Sequence, residues 1–131
     1  MIRNALAVIF LAAASIAWGQ QGTARLQCDG KHSDFRRGTR DVESRGGYVE
    51  VRHDSVKVVS IPGFDATYKV STKGVRAICF VHPTDKHLQG CINRFSGQLS
   101  LTKLSTRPRS ADFGGVDLLW YGSCRPEKPL F

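Results

Sequence analysis

Cys91-Ile92-Asn93-Arg94-Phe95-Ser96-Gly97-Gln98-Leu99-Ser100-Leu101-Thr102 is the stretch that sets the fold class. Residues 98–102 alternate polar and apolar with period two, which places Leu99 and Leu101 on one face of an extended strand. Ser96-Gly97 carries a turn signal, and residues 91–95 form the strand that feeds it. The pattern predicts a hairpin with one buried face.

The same pattern extends in both directions. Toward the N-terminus, residues 75–81 read as a strand, preceded by the turn Ser71-Thr72-Lys73-Gly74 and the strand Thr67-Tyr68-Lys69-Val70. Residues 56–61 form another strand, which Pro62-Gly63 stops. Tyr48-Val49-Glu50-Val51-Arg52 alternates and turns at His53-Asp54-Ser55. Arg25-Leu26-Gln27-Cys28 is the first strand. Between them, residues 29–47 are polar and basic and contain Gly30, Gly38, Gly46 and Gly47, so they predict an exposed loop. Toward the C-terminus, residues 104–115 predict a basic loop, residues 118–124 a closing strand, and residues 125–131 a short Pro-containing tail. Nothing after Gly19 sustains helical periodicity. About seven short strands joined in sequence predict an all-β antiparallel meander that closes into a small barrel or a two-layer sandwich.

The N-terminus reads differently. Met1-Ile2-Arg3-Asn4 is a short basic head, residues 5–18 are nearly all apolar, and Ala17-Trp18-Gly19 presents small residues for cleavage before Gln20. This is the pattern of a secretory signal peptide. The apolar run has 14 residues, short of the ~20 that span a bilayer. No cysteine stands near the cut, so no lipid anchor is expected. The boundaries are 1–19 for the signal and 20–131 for a single β domain, periplasmic or secreted, without membrane anchoring after cleavage. The chain has 19 Lys+Arg against 11 Asp+Glu, and removing residues 1–19 takes away Arg3 and no acid, which leaves a net charge of +7.

Cys28, Cys79, Cys91 and Cys124 all lie beyond the cut. An even count in an oxidising compartment predicts disulfides, and four cysteines allow three pairings. Cys28–Cys124 with Cys79–Cys91 is the favoured set. The first joins the two ends of the domain, which suits barrel closure, and the second clamps a short segment. Loop-closure entropy gives such bridges roughly 3 kcal/mol for the short loop and about 4.7 for the long one. No C-x2-C spacing supports zinc ligation by these thiols.

Several side chains are candidates for chemistry. His82, Asp85 and His87 lie between Cys79 and Cys91 and are a weak metal site, because their spacing matches no established ligand motif. His32 and His53 are a nominal acid–base pair for RNA cleavage, without a flanking catalytic signature. Asp34-Phe35-Arg36-Arg37-Gly38-Thr39-Arg40 and Arg107-Pro108-Arg109 are the densest basic segments, which makes Arg36, Arg37, Arg40, Arg107 and Arg109 the anion-contact candidates. A terminal Phe131 suggests an outer-membrane barrel, but Glu50, Arg52, Lys57 and Lys69 on short strands oppose an apolar outward band. A barrel this small is expected to be filled by its own side chains.

The stretch Cys91-Ile92-Asn93-Arg94-Phe95-Ser96-Gly97, with the tail Tyr121-Gly122-Ser123-Cys124-Arg125-Pro126-Glu127-Lys128-Pro129-Leu130-Phe131, resembles small exported bacterial proteins of unassigned function. These share a C-x-N/D-R-x-S/T-G turn and a Y-G-x-C-x-P tail. The likeness covers the C-terminal third and implies a fold without an activity, so no catalytic residue carries over. A further analogy is to periplasmic lysozyme inhibitors, which are also small disulfide-bearing β-barrels. The expectation is a non-enzymatic binding or structural module without a cofactor, whose basic loops contact an anionic envelope component or a protein rather than nucleic acid. The alternatives are an inhibitor of a cell-wall-active enzyme and a secreted hydrolase or nuclease.

Overall fold

The computed structural model describes residues 23–37, 40–105 and 115–127; residues 1–19, read above as a signal peptide, lie outside them. Eight strands follow in order: β1 (Ala24–Asp34), β2 (Asp41–Val51), β3 (Ser55–Val59), β4 (Ala66–Lys73), β5 (Ala77–Val81), β6 (Leu88–Asn93), β7 (Gln98–Leu104) and β8 (Val116–Pro126). Each strand pairs antiparallel with the next, and β8 returns to β1, so the meander closes into a barrel. Closure resolves the choice between barrel and sandwich.

Period-two alternation builds the core. Val49 and Val51, Val56 and Val58, Ile78 and Phe80, and Leu99 and Leu101 all point inward and are buried. Each such side chain contributes ~1.5–3 kcal/mol by leaving water. Trp120, Tyr68, Phe64 and Phe80 are the largest of the wholly buried side chains and fill the lumen. The Tyr68 hydroxyl donates to the Phe64 carbonyl at 2.7 Å, which satisfies a polar group in an apolar interior. Burial pushes its phenol well above the ordinary range.

The outer face carries Lys31, Lys57 and Lys69, all exposed. This polarity is the reverse of a membrane-spanning barrel, whose outward band is apolar. Strand length is not the deciding feature, because β1, β2 and β8 each reach 11 residues.

Residues 29–47 are not the loop that their composition predicts. β1 runs on to Asp34, flanked by β2 from Asp41 on one side and by β8 on the other. The sequence reads as a loop because the upper arm of β2, residues 41–46, is exposed throughout. Among the described residues, β3 pairs with β2 only from Tyr48 to Val51. Gly30 marks a close approach and not a turn. It lies opposite Gly122, and a Cβ there would sit 2.7 Å from the Gly122 Cα and 2.7 Å from Trp120 Cζ2. Two strand limits also shift. The Gly74 N–H donates to the Ala77 carbonyl at 2.9 Å, so Val75-Arg76 is turn. Asn93 Oδ1 accepts from the N–H groups of Phe95 at 2.8 Å and Ser96 at 2.9 Å, which puts Arg94-Phe95 in the next turn.

Both disulfides have the favoured pairing, Cys28–Cys124 and Cys79–Cys91. Cys28 and Cys124 are directly opposed across the β1–β8 seam and buried. Cys79 and Cys91 are opposed across β5–β6 on the outer face, since Ile78, Phe80 and Ile92 take the inner one. Two disulfides belong to an oxidising, non-cytoplasmic environment.

The seam yields the first prediction. Gly30→Ala is expected to cost ~1–3 kcal/mol by overpacking, read as a lower urea midpoint with an unchanged slope. A wild-type midpoint would contradict the packing of Trp120 over the glycine pair.

Candidate functional site

In an up-and-down barrel, successive connections alternate between the two ends. One rim carries the β1–β2, β3–β4, β5–β6 and β7–β8 connections, and the other carries the turns at 52–54, 74–76 and 94–97. The first rim holds the β1–β2 turn with Arg36, Arg37 and Arg40. Because β1 and β8 are neighbours, the β1–β2 tip stands beside the start of β8, and the Phe35 N–H donates to the Asp117 carbonyl at 2.9 Å. β7 ends and β8 begins at this rim. Arg107 and Arg109, between them, lie outside the described residues.

The three described arginines are not equivalent. The Arg36 guanidinium forks onto the Asp34 carboxylate, with Nε to Oδ1 at 3.0 Å and Nη2 to Oδ2 at 2.7 Å. This pairing holds the Asp34 pKa down to about 2 and leaves Arg36 largely neutralised. The Arg40 guanidinium carbon lies 5.9 Å from the centre of the Phe35 ring, a cation–π contact that keeps the charge exposed. Arg37 is exposed on the turn, and among the described residues no ion pair holds it. Asp41, Asp65, Asp85 and Asp117 share this rim, so its charge is mixed.

His32, His82 and His87 are held by contacts within the protein. His32 lies 3.0 Å through Nε2 from the Pro62 carbonyl, and its ring meets Phe64 edge-on at 6.1 Å, which fastens β1 to the β3–β4 connection. His53 sits in the β2–β3 turn at the opposite end of the barrel. Ala24 pairs with Val51, and His32 lies eight residues further along β1, about 26 Å at the rise of a strand. The two histidines therefore do not form an acid–base pair. His82 Nδ1 takes the backbone N–H groups of Thr84 and Asp85 at 3.2 and 3.1 Å. Asp85 Oδ1 takes the His87 backbone N–H at 3.0 Å and lies 3.2 Å from His87 Nδ1. That backbone bond, with His87 beside it, holds the Asp85 carboxyl below its ordinary range. These lone pairs are committed to shaping the β5–β6 loop, and no group of three or more His, Cys, Asp or Glu placed to hold a metal exists among the described residues.

A cleft opens where β3 stops and β2 continues, lined by Gln27, Asp29, Gly46, Gly47, Tyr48 and Ser60, with a volume of about 240 Å³. That is below the ~300–1,000 Å³ of ordinary small-molecule pockets. Val75 and Phe95 are not among the site candidates of the sequence, and an aromatic such as Phe95 reads there as core; they stand on the opposite rim at 80% and 76% exposure. The available signal was Asn93, whose side chain favours a turn two residues on.

No protein-family model, no curated protein and no solved structure matches this chain. Fold and rim define it as a small antiparallel β-barrel tied by two disulfides.

Asp34 supplies the second prediction. Its carboxyl is expected to titrate near pH 2 instead of the ordinary 3.8, and Arg36→Gln to return it upward, as followed by carboxyl NMR. A depressed folded-state pKa means stabilisation that is present above about pH 4 and lost as the pH falls through about 2. With side-chain exposures of 55% for Arg36 and 25% for Asp34, the pair is worth no more than ~1 kcal/mol. An unshifted titration in the wild type would refute the fork.

Proposed function

We propose that this chain is an exported, non-enzymatic binding module that holds an anionic partner of the cell envelope against the outside of its barrel. The observation that carries this reading is the filled lumen. Trp120, Tyr68, Phe64 and Phe80 are buried inside the barrel, which supports a reading in which a partner meets rims and outer faces. The net charge of +8, or +7 after removal of Arg3 with the signal, selects anions. Arg37 and Arg40 are exposed cations of the first rim, and Arg107 and Arg109 follow in the sequence between β7 and β8. Contacts of this kind are electrostatic and are screened within ~8–10 Å at ordinary ionic strength.

Export is supported by the basic head, the apolar run and the small residues ending at Gly19, together with two disulfides. N-terminal sequencing of the exported form is expected to begin at Gln20, give or take two residues. An intact Met1 would remove the export reading. On a heparin column, the exported protein is expected to elute in a salt-dependent manner, and Arg37→Ala/Arg40→Ala to elute at clearly lower salt. Retention that ignores ionic strength, or a double variant that elutes with the wild type, would defeat the assignment of this rim.

A further inference from the structure

The second rim has a different character. Its β4–β5 and β6–β7 turns are hydrogen-bonded to one another: the Arg94 N–H donates to the Arg76 carbonyl at 2.6 Å, and the Arg94 guanidinium donates to the Gly74 carbonyl at 3.2 Å. Each turn carries a large apolar side chain into water, Val75 at 80% and Phe95 at 76% exposure, the two most exposed large hydrophobics among the described residues.

Phe95 is not on a loose tip. Asn93 Oδ1 holds the Phe95 and Ser96 N–H groups. Gly97 takes a left-handed φ of 76°, and the Gly97 carbonyl accepts the Cys124 N–H at 2.8 Å, which fastens the turn to β8. A rigid turn that displays an aromatic ring avoids the backbone ordering cost when that ring is buried against a partner.

The charge around these tips has one sign. The two turns and their flanks, residues 73–77 and 93–98, contain Lys73, Arg76 and Arg94 and no acid. Elsewhere on this rim, Glu50 is paired with Arg25 and Arg52, and Glu127 with Arg25. Among the described residues, Asp54 and Arg125 are also exposed at this end, in the β2–β3 turn and near the end of β8, and Lys57 lies opposite Glu50. The first rim, by contrast, interleaves its arginines with carboxylates.

We infer that this second rim docks on an anionic lipid bilayer, with Phe95 and Val75 entering the headgroup boundary and Lys73, Arg76 and Arg94 over the lipid phosphates. The combination decides between anionic partners. A soluble polyanion satisfies the cations and leaves both apolar tips in water, whereas a charged bilayer takes up the two together. The inference uses no residue of the polyanion reading and stands or falls apart from it.

The experiment is sedimentation of the exported protein with phosphatidylcholine vesicles, with and without phosphatidylglycerol. Binding is expected only to the phosphatidylglycerol vesicles, weakening as salt rises. Val75→Ser/Phe95→Ser is expected to bind them at least tenfold more weakly and Arg76→Gln severalfold more weakly, both with wild-type unfolding curves and heparin elution. Phe95→Trp is expected to show a blue-shifted emission on those vesicles alone. Absence of wild-type binding overturns the inference, as does unchanged binding by the serine variant. Loss of vesicle binding in Arg37→Ala/Arg40→Ala instead assigns the lipid to the first rim. A serine variant that loses heparin retention while keeping vesicle binding assigns these tips to a soluble polyanion.

Discussion

The Trp120 indole crosses β1 at Gly30, and Nε1 donates to the Arg45 carbonyl of β2 at 3.1 Å. One side chain thus connects three strands, β8, β1 and β2, at the place where the sheet closes on itself. The crossing requires the absence of side chains at Gly30 and Gly122, which face each other beneath the ring. One inward pair further along the same seam, Cys28 and Cys124 make the closure covalent. A meander of eight strands without this seam would be an open sheet with two long unpaired edges, which are templates for aggregation. With the seam made, hydrophobic burial is shared around a continuous wall.

Closure also dictates where charge can go. The inward side chains form one buried cluster in which Tyr68, Phe64, Phe80 and Trp120 are the largest. Charged side chains are therefore displaced to the outer face and the ends. Alternation of connections then sorts the sequence: the turn with Arg36, Arg37 and Arg40 goes to one rim with Asp65 and Asp85, and the Val75 and Phe95 turns go to the other. Neither grouping follows from proximity in sequence. Both follow from strand parity plus the adjacency of β1 and β8.

The parts of the fold that were legible are those where one physical meaning attaches to one pattern. Leu99 and Leu101 alternate with polar residues because one face of β7 is wet, and such a pattern has no other common reading. The disulfides were legible because joining both ends of a meander is what closure requires. Residues 29–47 were not legible, because glycine has two meanings. Gly30 reads as a turn residue until Trp120, remote in sequence, supplies the ring that needs its empty space. Likewise, an apolar residue at the end of a strand looks the same whether it turns inward or outward. For Phe95 the outcome rests on the Asn93 side chain capturing the next N–H groups, and for Val75 on the Gly74–Ala77 hydrogen bond. Among the site candidates, the charge of Arg36 was visible but its commitment to Asp34 was not, since that depends on the turn bringing the two side chains into a fork.

The two rims differ in how they treat charge, and that difference is physical before it is functional. On the first rim, Arg36 is held by the Asp34 carboxylate, which cancels its charge, while Arg40 lies against the Phe35 ring and keeps its own. On the second, the arginine that orders the surface, Arg94, spends its hydrogen bonds on backbone carbonyls, Arg76 and Gly74, which take donors without cancelling a unit charge. The turn is thereby rigid and still positively charged. Rigidity bought from carboxylates costs field, whereas rigidity taken from carbonyls keeps it, and an exposed aromatic beside an uncancelled cation is stable at a boundary between water and an anionic apolar phase. The seam matters here too, because the Gly97 carbonyl takes the Cys124 N–H, so the Phe95 tip is braced by the strand that closes the barrel.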